Sequence, residues 1–440
     1  MLTRLLAANL AVFAAALAAT WLLTPVAAKI ARRYGAMAEP NERSMHVKPV
    51  PYLGGLAMYV GLLVAVLVAF LIPVLRPAVT NGTETIAVLL AATIVVIVMT
   101  IDDMRDISPP AKIAGLVLAG SVLAIFGVGF SYFRVPFLEN DFLLLSSDVA
   151  PLVVVVWVVV LCNAMNLIDG LDGLAAGVAA IAAAALFLFG LRLQDQGLLP
   201  LNSLGPVICS ATAGLSLGFL RWNFHPAKIF MGDAGAMLLG LLLAASTMLI
   251  GGRVDDAFSG QTFFFFAPLV IPIIILGIPL ADVILSVVRR LARGQSWTTA
   301  DREHLHHRLL NMGHGPRRAV MLIYAWTILL SLVVLVPTYT GRGNAIVPFA
   351  VIGLALVLYA IFHPGNPKLA RTPDAHGGKH ARSRHPDESE KTAPEAPGRV
   401  PALVVGSGDA ASAPGTREEP TLETFETRSS QDGIENPPIG

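Results

Sequence analysis

Apolar residues in this chain come in long runs separated by short polar stretches. A helix that crosses a bilayer needs roughly 20 mostly apolar residues. Runs of that kind fall near 5–25, 54–75, 85–101, 113–130, 149–165, 171–191, 204–220, 234–251, 263–288, 317–337 and 346–363. The pattern predicts an all-α fold, a polytopic membrane helix bundle of about 11 transmembrane helices. The first run is longer than the apolar core of a signal peptide, about 7–15 residues, and reads as a retained span. No internal repeat accompanies the runs, which argues against an inverted-repeat transporter.

Cations are distributed unequally between the loops. One set holds Lys29, Arg32, Arg33, Arg43 and Lys48, then Arg105 and Lys112, then Arg221 and Lys228. The 289–318 loop adds Arg289, Arg290, Arg293, Arg302, Arg308, Arg317 and Arg318. The alternate loops carry about one each: Arg76, Arg134, Arg192, Arg253 and Arg342. The basic set is expected to face the cytoplasm, with the N-terminus outside and the C-terminus inside. All the polar motifs then fall on one face, although the charge count makes no use of them. From about Gly365 the chain turns rich in Pro, Ser, Glu and Gly. Residues 365–440 are predicted to be a disordered cytoplasmic tail, following a membrane domain over 1–364.

Composition agrees. The chain is 55% hydrophobic and 14% charged, against roughly 25% charged for soluble domains. That excludes a water-soluble globule. The net charge of +1 gives no sign of an acidic partner, and no nucleic acid is expected. Cys162 and Cys209 each lie inside an apolar run and read as small buried residues, not as a disulfide framework or a metal cluster.

The polar residues that interrupt this pattern carry the chemistry. Asp102 and Asp103 end the third run, with Asp106 and Lys112 close behind. Adjacent carboxylates repel unless a cation or a proton lies between them, which suits a divalent metal or a base. Asn163, Asn166, Asp169 and Asp172 recur at a spacing of three, and on a helix such a row stays largely on one face. Gly170 and Gly173 within it suit a loop wrapped on a ligand. In Phe230-Met-Gly-Asp233-Ala-Gly, Asp233 lies near a helix start and Phe230 is placed to stack a flat base. Oxygen ligands such as Asp233 and Asn166 suit Mg²⁺, usually with substrate phosphates completing the octahedron. His304-Leu-His306-His307-Arg308 and His314 lie in a basic loop and read as a phosphate site. A weaker stretch, His46-Val-Lys48-Pro-Val-Pro-Tyr52-Leu-Gly54-Gly55, marks a fixed turn. Together these residues point to phosphoryl transfer onto or from a membrane lipid. A transporter using Asp169 and Asp172 is the rival from another class.

These motifs, in this order over roughly residues 5–340, resemble the polyprenyl-phosphate N-acetylhexosamine-1-phosphate transferase family. The His304-Leu-His306-His307-Arg308-Leu form resembles the branch that transfers GlcNAc-1-phosphate; the phospho-MurNAc-pentapeptide branch usually carries three consecutive histidines there. The resemblance implies transfer from UDP-GlcNAc to undecaprenyl or decaprenyl phosphate in a bacterial plasma membrane, with release of UMP. It implies Mg²⁺, or Mn²⁺ in its place, on Asp233 and Asn166, and allows a homodimer. By the same resemblance, Asp102 or Asp103 positions or deprotonates the lipid phosphate. Lys112, His306, His307 and Arg308, with His304 beside them, neutralise phosphate charge. Asp172, Lys48 and Phe230 recognise uridine, Asn163 lies with the substrate-binding set, and Asp169 supports the metal loop. The sequence departs from the family at Ala236, where Ser is common, and at Tyr52, where this branch often has Arg.

Overall fold

The computed structural model describes residues 1–38, 49–130, 132–134, 142–144, 146–251, 270–292, 309–310, 312 and 314–362. Lys48, His304, His306, His307 and Arg308 lie outside them, as does the tail expected over 365–440. The chain is an all-α polytopic membrane protein. Its helices are α1 (Leu2–Tyr34), α2 (Gly54–Leu71), the short α3 (Arg76–Thr80), α4 (Glu84–Arg105), α5 (Pro109–Ile125), α6 (Val149–Ile168) and α7 (Leu174–Asp195). There follow α8 (Gly205–Asn223), α9 (Gly232–Gly251), α10 (Val270–Ile275), α11 (Gly277–Ala292), α12 (Pro316–Thr340) and α13 (Val347–Phe362). Two antiparallel pairs are short: Met37–Ala38 with Val50–Pro51, and Tyr132–Arg134 with Phe142–Leu144.

Seven of these helices, α1, α2, α4, α6, α7, α9 and α12, are each long and apolar enough to cross a bilayer. The 17-residue α5 is a shorter apolar helix. The run expected as one span over 263–288 shows two helices in its described part, α10 and α11, meeting at Leu276.

The helices sort by what surrounds them. Every residue of the apolar window of α9 is buried, and 78% of that of α7. α9 packs against α2, α4, α6, α7 and α8, so it forms the centre. Outer helices instead turn large apolar side chains outward, among them Leu10, Leu67, Ile97, Leu118, Val156 and Met321. Such a surface is stable against lipid tails and costly against water. Helix α8, lined by buried Ser210, Ala211, Ala213 and Ser216, packs closely on α1. Small residues of this kind let helix backbones approach where lipid removes the hydrophobic drive to associate.

The helix ends explain where the polar residues gather. α1 closes with Arg32 and Arg33 in its last turn, favourable at the negative end of its dipole, and a left-handed Gly35. α4 ends at Asp106, itself left-handed at φ 50°. Ser108 and the pair Pro109-Pro110 then start α5, where a missing N–H costs nothing. The ends of α1, α4, α6 and α8 and the starts of α2, α5, α7, α9 and α12 thus share one end of the bundle.

Candidate active site

At this end the Asp102-Asp103 pair is split between two tasks. Asp102 is 6% exposed. Its Oδ1 accepts the N–H of Ile107 at 3.0 Å, which shapes the exit from α4. Its Oδ2 pairs with Lys112 Nζ at 2.5 Å, and the same ammonium reaches Asp233 Oδ2 at 3.1 Å. Lys112 therefore lies between two carboxylates that would otherwise repel. Asp103 points to α9 instead. Its Oδ1 accepts from Asp233 N at 2.8 Å and its Oδ2 from Ala234 N at 3.3 Å, so it caps that helix from another element. Gly232 makes the cap fit: its φ is 69°, and a Cβ there would run into the Asp103 carboxylate.

The Tyr52-Leu53-Gly54-Gly55 stretch holds the Asp233 loop from its other side. Phe230 N donates to Pro51 O at 2.9 Å, Gly54 N to Phe230 O at 3.0 Å and Gly55 N to Met231 O at 2.9 Å. Tyr52 and Phe230 pair as a single parallel bridge. Gly55 and Gly235 then touch so closely that a Cβ on Gly55 would strike the backbone of α9, and one on Gly235 would crowd Met231 and Gly55. Tyr52, at the position where this branch often has Arg, lies near enough to Asp103 that burial and that charge push its hydroxyl pKa up. The other departure, Ala236, is fully buried in the apolar centre.

The row spaced by three does not lie on one helix. Asn163 and Asn166 belong to α6, which ends at Ile168, while Asp169 and Asp172 lie in the turns that follow. The helical repeat ends at the C-cap Asp169, and Gly173, at φ 80°, is the N-cap from which α7 starts. Asn163 Nδ2 turns back to Val159 O at 2.7 Å. The Asn166 amide has no hydrogen-bond partner among the described residues. Burial, together with the charges of Asp233, Asp103 and Asp172, pushes the Asp169 carboxyl up to about 8. Asp172 faces the α8–α9 loop, where its Oδ2 meets His225 Nδ1 at 2.7 Å and Ala227 N at 3.0 Å.

A set of residues that the motifs did not single out ties these loops together. Asn223, 1% exposed, accepts from Gly173 N and donates to Ile229 O, each at 3.0 Å. One amide thus joins the Asp169–Gly173 turn to the segment before Asp233. Tyr324 of α12 donates its hydroxyl to Gly173 O at 2.5 Å. Arg317, at the start of the same helix, reaches His225 O at 3.2 Å. Asn223 and His225 stand in a polar cluster just before the Phe230 motif, a usable sequence signal; nothing in the sequence distinguishes Tyr324. Cavities of about 250 and 290 Å³ lie at the opposite end, lined by residues such as Asn81, Glu84 and Asn202, and Leu6, Arg192 and Tyr339. Neither touches the motif residues.

The sequence profile described as Glycosyl transferase family 4 matches residues 85–251, which contain Asp102, Lys112, Asn166, Asp169 and Asp233. A decaprenyl-phosphate N-acetylglucosaminephosphotransferase of Mycolicibacterium smegmatis is 39% identical over 81% of this chain and 87% of its own length. The chain belongs to glycosyl transferase family 4. Two further relatives are more distant. A probable undecaprenyl-phosphate N-acetylglucosaminyl 1-phosphate transferase of Bacillus subtilis is 34% identical over 71% of this chain and 80% of its own. An undecaprenyl-phosphate alpha-N-acetylglucosaminyl 1-phosphate transferase of Escherichia coli K12 is 27% identical over 77% and 87%.

This family member's donor set can be tested against a metal. Among the described residues no group of His, Cys, Asp and Glu encloses a cation unaided. Mg²⁺ is commonly held by one or two carboxylates with substrate phosphates and water supplying the rest. Asp233, the Asn166 amide with no partner among the described residues, and the Asp169 carboxyl, which burial and its acidic neighbours hold up, match that demand.

Proposed function

We propose that this transferase moves GlcNAc-1-phosphate from UDP-GlcNAc to a polyprenyl phosphate, giving polyprenyl-diphospho-GlcNAc and UMP. The observation that carries the reading is the convergence of Asp102, Lys112, Asp103 and Asp233 at one end of an apolar bundle. The names of relatives up to 39% identical support the sugar and the lipid. On this reading the motif end faces the cytoplasm, where the basic loops lie, and residues 1–364 form the transferase domain.

An oxygen of the lipid phosphate attacks the sugar-bearing phosphorus of the donor. A new P–O bond forms, the bond to the bridging oxygen breaks, and UMP leaves with that electron pair. Asp102 holds or accepts the proton of the attacking phosphate. Lys112 exchanges its carboxylate partners for phosphate oxygens, so its charge follows the developing charge. Asp103 fixes the Asp233 backbone through the cap. Mg²⁺ held by Asp233 and Asn166 would neutralise the donor diphosphate. Phe230, Asp172 and Lys48 serve the uridine, with Asn163 beside them. His304, His306, His307 and Arg308 supply further phosphate contacts.

The deciding experiment offers purified protein UDP-GlcNAc or UDP-MurNAc-pentapeptide with undecaprenyl phosphate and Mg²⁺. UMP is expected with the first donor and not the second; release with the pentapeptide donor alone would move the chain to the other branch. Metal binding is read separately, without turnover. MgCl₂ with UDP-GlcNAc should raise the melting temperature by a few degrees over NaCl of equal ionic strength, about 1–3 kcal/mol of linkage for ligand well above its Kd. No difference between the salts would remove the metal from the reading.

A further inference from the structure

A second polar feature lies at the motif end, away from the carboxylates, where α8 meets α1. Pro25 lies inside α1 and has no N–H, so the carbonyl of Trp21, four residues earlier, loses its helical donor. The indole Nε1 of Trp222 supplies that hydrogen bond at 3.0 Å. The ring is thereby fixed beside the break in the α1 ladder. Arg221 and Lys228 then stand 5.7 and 5.4 Å from its centroid, within cation–π range. Lys29 and Arg32 follow Trp21 at helical spacing on nearly the same face. All four cations are exposed.

Among the described residues of the elements that carry them, no acid offsets these cations. α1, α8 and residues 224–231 contain no Asp or Glu. Among the described residues none of these cations is in an ion pair, whereas Lys112 and Arg192 both are. Four exposed cations at one corner suit an anion, and its source follows from depth. About 20 residues of α1 fill the hydrocarbon, so Trp21 falls at the interface and Lys29 and Arg32 beyond it. At and inside that level Leu22 of α1 and Leu217 of α8, four residues before Arg221, lie exposed at 61% and 40%. A soluble phosphate has no use for that apolar strip; an acyl chain does.

We infer that Arg221, Lys228, Lys29 and Arg32 form a binding site for the headgroup phosphate of an anionic phospholipid in the leaflet on the motif side, with its chains against Leu217 and Leu22. The site is distinct from the acidic centre and holds the α1–α8 corner to the membrane surface.

The test uses the full chain in detergent, offered phosphatidylglycerol and phosphatidylcholine in equal amounts, with retained lipid read by native mass spectrometry. The wild type should retain phosphatidylglycerol preferentially. Arg221→Gln with Lys228→Gln should cut that preference about tenfold or more. Inorganic phosphate should not displace the lipid. In phosphatidylcholine vesicles the double variant should keep its UMP release and its KM for polyprenyl phosphate. Equal retention of the two lipids by wild type overturns the inference, whether or not the variant folds. So does an undiminished preference in the variant, displacement by inorganic phosphate, which marks a soluble-anion site, or a raised KM, which assigns the patch to the substrate lipid.

Discussion

Asp233→Asn is expected to lower UMP release at least 10²–10³-fold, the usual cost of deleting one electrostatic contact made to a developing charge. The side chain sits on the first turn of α9 with its Oδ2 3.1 Å from Lys112 Nζ. The substitution removes the charge and little else. The N–H of residue 233 still donates to Asp103, so the cap that shapes the helix start survives. The variant should therefore insert, elute and melt much as the wild type does, while its Mg²⁺-dependent rise in melting temperature shrinks. Lys112, left with Asp102 as its remaining carboxylate partner, should bind that residue more tightly and release it less readily to substrate. Near wild-type turnover at saturating Mg²⁺ would remove Asp233 from the reaction. Lost turnover with an unchanged thermal response to Mg²⁺ would keep it there but move the metal elsewhere.

Much of the architecture was legible because a bilayer leaves the chain few choices. Each apolar run must be a helix to satisfy its own backbone, and runs such as 85–101 and 234–251 coincide with α4 and α9. Which helix lies at the centre was not legible. α4 and α9 are both apolar all round, and only packing shows that α9 is enclosed while α4 presents Ile97 outward. The break at Leu276 between α10 and α11 was invisible to hydropathy for the same reason.

The site follows a similar division. Residue type and spacing singled out Asp102, Asp103, Asn166, Asp169 and Asp233 as candidates, because carboxylates at the ends of apolar runs need a physical reason. Spacing misled where it assumed one helix, since Asp169 and Asp172 lie past the end of α6. It also could not assign partners. Nothing in the sequence says that Asp102 faces Lys112 while its neighbour faces α9, or that Pro51 and Gly54 grip Phe230. Asp102 and Lys112 are ten positions apart but on different helices, the other pairings join residues more than a hundred positions apart, and all arise only when the helices assemble. The Tyr52–Gly55 stretch, weak as a motif, is one of the two walls that hold the Asp233 loop.

Adjacent acids with separate partners should also fail differently. Asp102→Asn places an amide against the Lys112 ammonium and, on the proposed reading, deletes the group that takes the proton of the attacking phosphate. Loss of a positioned proton acceptor costs 10²–10⁴-fold in kcat, and that range is expected here, with the KM for UDP-GlcNAc little changed. Asp103 acts through geometry. Asp103→Asn keeps an oxygen for Asp233 N and loses the acceptor for Ala234 N, and Asn is itself a good cap. Asp103→Ala loses both bonds and leaves the start of α9 uncapped, worth about 1 kcal/mol of stability and a displaced Asp233. The alanine variant should thus fall well below the asparagine variant in kcat and melt a few degrees lower. At Asp102 the two substitutions should be equally inactive, since neither restores a charge. Equal loss from both substitutions at Asp103, without a change in melting, would mean that its carboxylate serves the chemistry directly. A partial rescue by asparagine at Asp102 alone would exchange the roles of the two acids.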